Sequence, residues 1–219
     1  MVPWDGIRKT LLCSALVASV GLSTKSPSFA DELADRILPL REQAVVTDNI
    51  LRERLDLVVG QVMRRNDVDA WVLIAREYNE DPVVKTMLPA TWLNARRRTG
   101  LMFIDHGEPR GIERMAVARY PVADMFPGVW NPEEQPDQWQ RIAQILNEFD
   151  PEKIALNFSD TYALADGLTF SEQRDFSNAL PERLRERIVS SEKVAVGWLE
   201  TRTDSEIETY RDVRSITHE

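Results

Sequence analysis

Two histidines and a large set of carboxylates are the only residues from which a metal or acid–base site could be assembled in this chain. A zinc or dimanganese centre takes several ligands from rigid, inward-facing positions. Neither His106 nor His218 has the His-Glu-x-x-His spacing, and no carboxylate cluster faces either of them at a helical or strand period. His106 falls in the run His106-Gly107-Glu108-Pro109-Arg110-Gly111, which is turn material, where a polar residue is favoured by solvation alone. The acidic pairs Asp67/Asp69 and Glu133/Glu134 also sit in expected turns, where acids are common by default. Covalent catalysis has no better foothold, because there is no Gly-x-Ser-x-Gly elbow and a lone serine carries no signal. Nine scattered glycines form neither a dinucleotide fingerprint nor a phosphate-cradling loop. No catalytic residue, metal ligand or cofactor site is therefore expected within these 219 residues.

The bulk composition narrows the class further. A hydrophobic content of 43% fills a core, and 29% charged residues keep the surface soluble. A net charge of −9 argues against a nucleic-acid partner, which needs a concentrated positive face. The densest basic cluster, Arg96-Arg97-Arg98, is short and reads as solvated surface or intramolecular pairing.

The first thirty residues follow a different logic. Arg8 and Lys9 precede an apolar run from Thr10 to Leu22, and a polar stretch then ends in Ser28-Phe29-Ala30. Positive start, apolar middle and small residues before the cut define a secretory signal peptide. The run is short of the roughly 20 residues a membrane span needs. Cleavage after Ala30 is expected, with delivery to the periplasm or cell exterior and no stable membrane anchor. Cys13, the sole cysteine, would leave with the signal, so the mature chain has no thiolate nucleophile and no disulfide.

The remaining elements alternate. Apolar residues at 50, 51, 55, 58, 59, 62 and 63 stripe one face of a helix from Thr47 to Asn66, with Thr47 or Asp48 as its cap. AWVLIA (70–75) reads as a fully buried strand. Pro82 opens a helical run that Pro89 ends, and GLMFID (100–105) and IERMAVARY (112–120) read as a hairpin. Residues 121–136 hold four prolines with Phe126 and Trp130, too apolar for a free linker and expected to pack on the domain surface. A helix from Asp137 to Phe149, a strand from Lys153 to Asn157, a helix from Leu168 to Asn178, a further piece from Leu180 to Glu186 and an extended piece at Val194–Val196 follow. This order implies an α/β fold, a mixed sheet flanked by helices.

The last segment, WLETRTDSEIETYRDVRSITHE (198–219), starts a helix formally. Thr203 and Glu206 have capping-box spacing, and Ile207, Tyr210, Val213 and Ile216 stay on one side behind them. No glycine or proline closes it.

Taken together, the DAWVLIA strand, the TWLNARRRTGLMFIDHGEP segment, the hairpin, the second helix–strand unit and the closing WLETRTDSEIETYRDVRSITHE resemble the N-terminal domain of the creatinase, prolidase and Xaa-Pro aminopeptidase family of "pita-bread" metallopeptidases. Glu200, Arg202, Glu206, Ile207, Tyr210 and Arg211 match the family's bridge to its catalytic domain. The likeness covers 47–219. It implies a ribonuclease H-like creatinase N-terminal fold over 47–197, an N-terminal extension over 31–46, and a linker with the first helix of a catalytic domain over 198–219. It also implies a parent enzyme that hydrolyses peptide bonds next to proline, binds two divalent ions (Mn, Co or Zn) in a catalytic domain missing here, and forms a homo-oligomer. This chain alone would then be inactive, shaping access for a peptide substrate. By the same resemblance Trp92, Asn94, Arg96 and Arg97 are the substrate-gating candidates; alternatively Trp92 belongs to the core and the arginines to the surface. A second reading is a stand-alone periplasmic binding domain that holds a partner on a sheet edge or on the apolar loop 121–136.

Overall fold

A hydrophobic stripe too long for one turn decides the first element. The computed structural model describes residues 36–218, and residues from Leu38 onward form one compact unit. The expected signal peptide and Cys13 lie outside the described residues. Helix α1 runs Leu40–Arg65 and buries Leu51, Leu55, Val58, Val59, Val62 and Met63 on one face. It starts earlier than its apolar stripe predicts, because residues 40–46 contain good helix formers and no breaker, so the helix extends outward as an exposed rod. Asp48 consequently sits inside the helix and does not cap it; its Oδ1 accepts the backbone N–H of Ala90 at 2.7 Å.

Five strands make one sheet in the order β3-β2-β1-β4-β5. β1 (Ala70–Arg76) pairs antiparallel with β2 (Arg98–Asp105), which pairs antiparallel with β3 (Ile112–Val117). On its other side β1 runs parallel to β4 (Ile154–Leu156), and β4 parallel to β5 (Ile188–Ser190). The fold is therefore α/β with a mixed sheet flanked by helices.

Because side chains alternate along a strand, the sheet feeds two cores. Trp71, Leu73, Leu101 and Phe103 face α1. Ala70, Val72, Ile74, Met102 and Ile104 face α3 (Gln138–Phe149) and α4 (Phe170–Ala179). Trp71 stacks on Phe103 at 5.4 Å between centroids, and Phe126 meets Phe103 edge-on at 5.5 Å. The proline-rich loop thus surrenders Val122, Met125 and Phe126 to the core. Val129 and Trp130 of the same loop are only half-buried.

Helix starts follow local chemistry. Asp81 caps the short α2 (Pro82–Lys85), with Pro82 in the first turn, and Asp137 caps α3. Thr169 caps α4, and α5 (Glu182–Arg185) is a single turn. The extended piece expected at Val194–Val196 is a correction: these residues lie inside α6 (Glu192–Glu200). β-branched valines favour strands locally, yet Val194, Ala195 and Trp198 share one helical side and bury it against α1. The sheet's last strand is instead Ile188–Ser190. α7 (Asp204–His218) closes the described chain.

Candidate functional site

The segment between α2 and β2 carries the sequence-derived gating residues. Pro89 accepts the N–H of Trp92 at 2.7 Å, turning the chain, and Ala95 is buried. Trp92 is half-buried, packed on the α1-side core, with the Arg96 guanidinium 4.5 Å above its ring. Arg97 takes a left-handed conformation (φ 55°) and is tied to the turn after β1. Its carbonyl accepts the Glu77 N–H at 2.6 Å, and its own N–H donates to Glu77 Oε2 at 3.3 Å. Asn94 is exposed. Trp92 and Arg96 are therefore brought together, Arg97 is joined to a neighbouring turn, and Asn94 stands in solvent. The third arginine of the run, Arg98, lies 4.3 Å over the Trp139 ring and 3.6 Å from Glu172. Intramolecular pairing thus accounts for two of the three basic residues, Arg96 and Arg98.

Two exposed apolar side chains on these two segments carry no reading from sequence. Tyr78, next to Glu77, is 88% exposed with φ 70°, and Leu93, next to Trp92, is 79% exposed. An aromatic inside the polar turn Glu77-Tyr78-Asn79-Glu80 was the available signal, since such a residue has no core to join.

The carboxyl ends of β1 and β4 form the second candidate place, because open α/β sheets bind ligands beyond strand carboxyl ends. Here the protein fills it with its own polar groups. Asn157 straddles β1, its Oδ1 accepting the Ile74 N–H at 3.0 Å and its Nδ2 donating to the Ile74 carbonyl at 2.8 Å. The same Nδ2 donates to Asp81 Oδ2 at 2.9 Å, and Asp81 Oδ1 accepts the Val84 N–H at 2.8 Å. Gly167 presses against Asp81 from the other side. Nearby, Glu192 Oε2 accepts from the hydroxyls of Ser159 and, at 2.7 Å, Thr161; these bonds hold its carboxyl below the usual range.

Burial pushes the Asp81 carboxyl above its ordinary range, against the opposing pull of Asn157 and the backbone N–H groups of Val84, Val83 and Gly167. A group whose folded pKa is raised binds its proton more tightly in the native state. Its contribution to stability is complete below the unfolded-state value and is lost as pH climbs through the folded-state value. Urea midpoints are therefore expected to carry a component that falls over that window in the natural chain and is absent in Asp81→Asn. The substitution should itself cost about 1–3 kcal/mol, because the new amide puts a second donor against either Asn157 or the Val84 N–H.

A third cluster anchors α7. The capping box is formed in both directions: Thr203 Oγ1 accepts the Glu206 N–H at 3.3 Å, and Glu206 Oε2 accepts the Thr203 N–H at 3.0 Å. Arg54 of α1 reaches this turn. It donates to Glu206 Oε2 and to the Thr201 carbonyl, both at 2.6 Å, and to the Trp198 carbonyl, with its guanidinium 4.3 Å over the Trp198 ring. Ser205 also donates to Glu53. Beyond this root α7 buries nothing, and Ile207, Tyr210 and Val213 are exposed.

His106, expected from sequence to be a solvated turn residue, is instead largely covered and held. Its Nε2 lies 2.6 Å from Glu113 Oε2, and its ring meets Phe149 edge-on at 5.2 Å. Arg110 donates to the same Glu113 oxygen, so a cation shares the carboxylate that touches this imidazole. That donor set does not suit a divalent ion, and no group of three or more His, Cys, Asp or Glu side chains fit to hold one occurs among the described residues. No helix among the described residues is long and apolar enough to cross a membrane. No family model matches this chain, and no curated protein is significantly similar to it.

Proposed function

We propose that this chain is the non-catalytic, substrate-gating and oligomerisation domain of an exported Xaa-Pro aminopeptidase-like metallopeptidase, with the creatinase-type N-terminal fold. The observation that carries the reading is α7: its first turn is fixed to the domain by Arg54 and a complete capping box, while Ile207, Tyr210 and Val213 stand uncovered. A helix built this way is a rigid bridge whose apolar side suits a second folding unit. In this reading that unit is the catalytic domain, which supplies the ligands for two divalent ions (Mn, Co or Zn). The exported location rests on the pattern of the first thirty residues. The filled crevice at the carboxyl ends of β1 and β4 fits a domain that performs no chemistry itself. The rim of Trp92, Arg96, Leu93 and Tyr78 suits the gate, since it offers apolar and cationic contact to a peptide without a reactive group.

The test is the product of the source gene read past codon 219. Supplied with Mn, Co or Zn, that product is expected to hydrolyse proline-containing dipeptides and tripeptides. Trp92→Ala in it is expected to raise KM for tripeptides several-fold while kcat moves little, as for a contact made equally in ground and transition states. Absence of a pita-bread reading frame downstream overturns the proposal, and an unchanged KM removes Trp92 from the gate.

A further inference from the structure

The hairpin of β2 and β3 and the facing side of α3 enclose a cleft of about 430 Å³, within the range of small-ligand sites. It lies away from the gate and from α7, and the proposed function leaves it without a role. Met115, Ile145 and Phe149 give it an apolar wall. Its two charged groups on α3 are of opposite sign, and Arg110 and His106 of the hairpin line it beside Glu113. Arg141 uses Nε to hold the Val129 carbonyl at 2.8 Å, and its two Nη atoms have no acceptor among the described residues. Glu148, farther along the same helix, has no hydrogen-bond or ion-pair partner among the described residues. Glu113 spends Oε2 on His106 and Arg110, which leaves Oε1 as an acceptor.

The two open charges are of opposite sign and fixed on one rod. Seven positions at 1.5 Å each place Arg141 and Glu148 about 10 Å apart along α3. Extended chain covers about 3.3–3.6 Å per residue, so a peptide of about three residues matches that span. A guanidinium with both Nη atoms open is suited to grip a carboxylate by two parallel bonds.

We propose that this cleft binds short peptides with both termini free: the carboxylate on Arg141, the ammonium between Glu148 and Glu113 Oε1, and an apolar side chain against Met115, Ile145 and Phe149. Substrate gating and this site involve different residues, so either stands if the other falls.

Titration calorimetry of the whole chain with alanyl-alanyl-leucine, its C-terminal amide and its N-acetyl derivative tests it. The free tripeptide is expected to bind saturably, and the amide about tenfold more weakly or worse, the value of losing a charge-assisted pair. Arg141→Met is expected to bind acid and amide alike. Glu148→Gln, an exposed change that leaves folding intact, should weaken the free tripeptide and leave the N-acetyl derivative unmoved. Equal affinity for acid and amide overturns the proposal, as does failure of a natively folded chain to saturate at millimolar peptide. If Arg141→Met does not fold, the amide comparison and Glu148→Gln decide the matter alone.

Discussion

Gly167→Ala is expected to be among the most damaging single changes in this domain. A Cβ at that position would overlap Asp81 Oδ2 and lie 2.6 Å from both Asp81 Cγ and Cα. A flexible side-chain tip could swing away, but a Cα cannot move without dragging its strand connection. Asp81 is itself held by Asn157 and caps α2, so the displacement would tear the hydrogen bonds that plug the end of β1. Loss of a buried network together with overpacking places the cost above about 4 kcal/mol, in the tail of point-mutant effects. For a domain of this size that corresponds to a Tm drop of about 8–16 °C by thermal denaturation. Asp81→Ala should not rescue it, because the clash with the backbone of residue 81 remains. A Tm equal to that of the natural chain would mean that Gly167 is not pressed on Asp81.

The same crowding shows where the sequence is opaque. Asp81 and Asn157 are separated by 76 positions, and neither belongs to a motif. Pro82 signals the helix start from sequence, but that Asp81 caps it, and that its second oxygen takes Asn157, appears only once the sheet is assembled. Nothing in the sequence marks Gly167; its role is space, and space is a property of the fold. By contrast β1 and β2 are legible because both faces are buried, leaving continuous apolar runs, and α3 because its stripe is strong. The capping box at Thr203 and Glu206 is legible because its chemistry is local. Val194–Val196 misleads for the complementary reason: valine preference is local, but packing of Val194, Ala195 and Trp198 on α1 is not, and packing wins. His106 misleads in part likewise: Glu113 is its neighbour across the hairpin, but Phe149 reaches it only once α3 closes over that hairpin. Trp92 and the arginines stand out in the sequence by residue type, whereas the approach of the turn after β1 to the segment before β2 comes only from strand pairing.

The junction of α1, α6 and α7 gives the second large effect. Arg54 and Glu206 have side-chain exposures of 9% and 12%, so the pair is largely shielded from water. Replacing a buried pair by well-packed apolar groups is often neutral, but removing one member strands the other's charge. Arg54→Ala is therefore expected to cost about 3–5 kcal/mol. Beyond Glu206, it strips the donor from the carbonyls of Trp198 and Thr201 and the cation from the Trp198 face. Glu206→Gln should cost less, because the amide oxygen keeps an acceptor for Arg54 and for the Thr203 N–H. The double variant Arg54→Ala/Glu206→Gln should be more stable than the two single losses added together, with a coupling of about 0.5–3 kcal/mol, as expected for residues in one network. Hydrogen exchange supplies the readout specific to α7. In Arg54→Ala the amides of α7 and the 201–203 turn should lose protection before those of β1 and β2, because Arg54 secures the root of the helix while the sheet core is bound by apolar contact on both faces. Additive losses in the cycle, or uniform exchange across sheet and terminal helix, would show that α7 is held by something other than this guanidinium, and its standing as a rigid bridge would go with it.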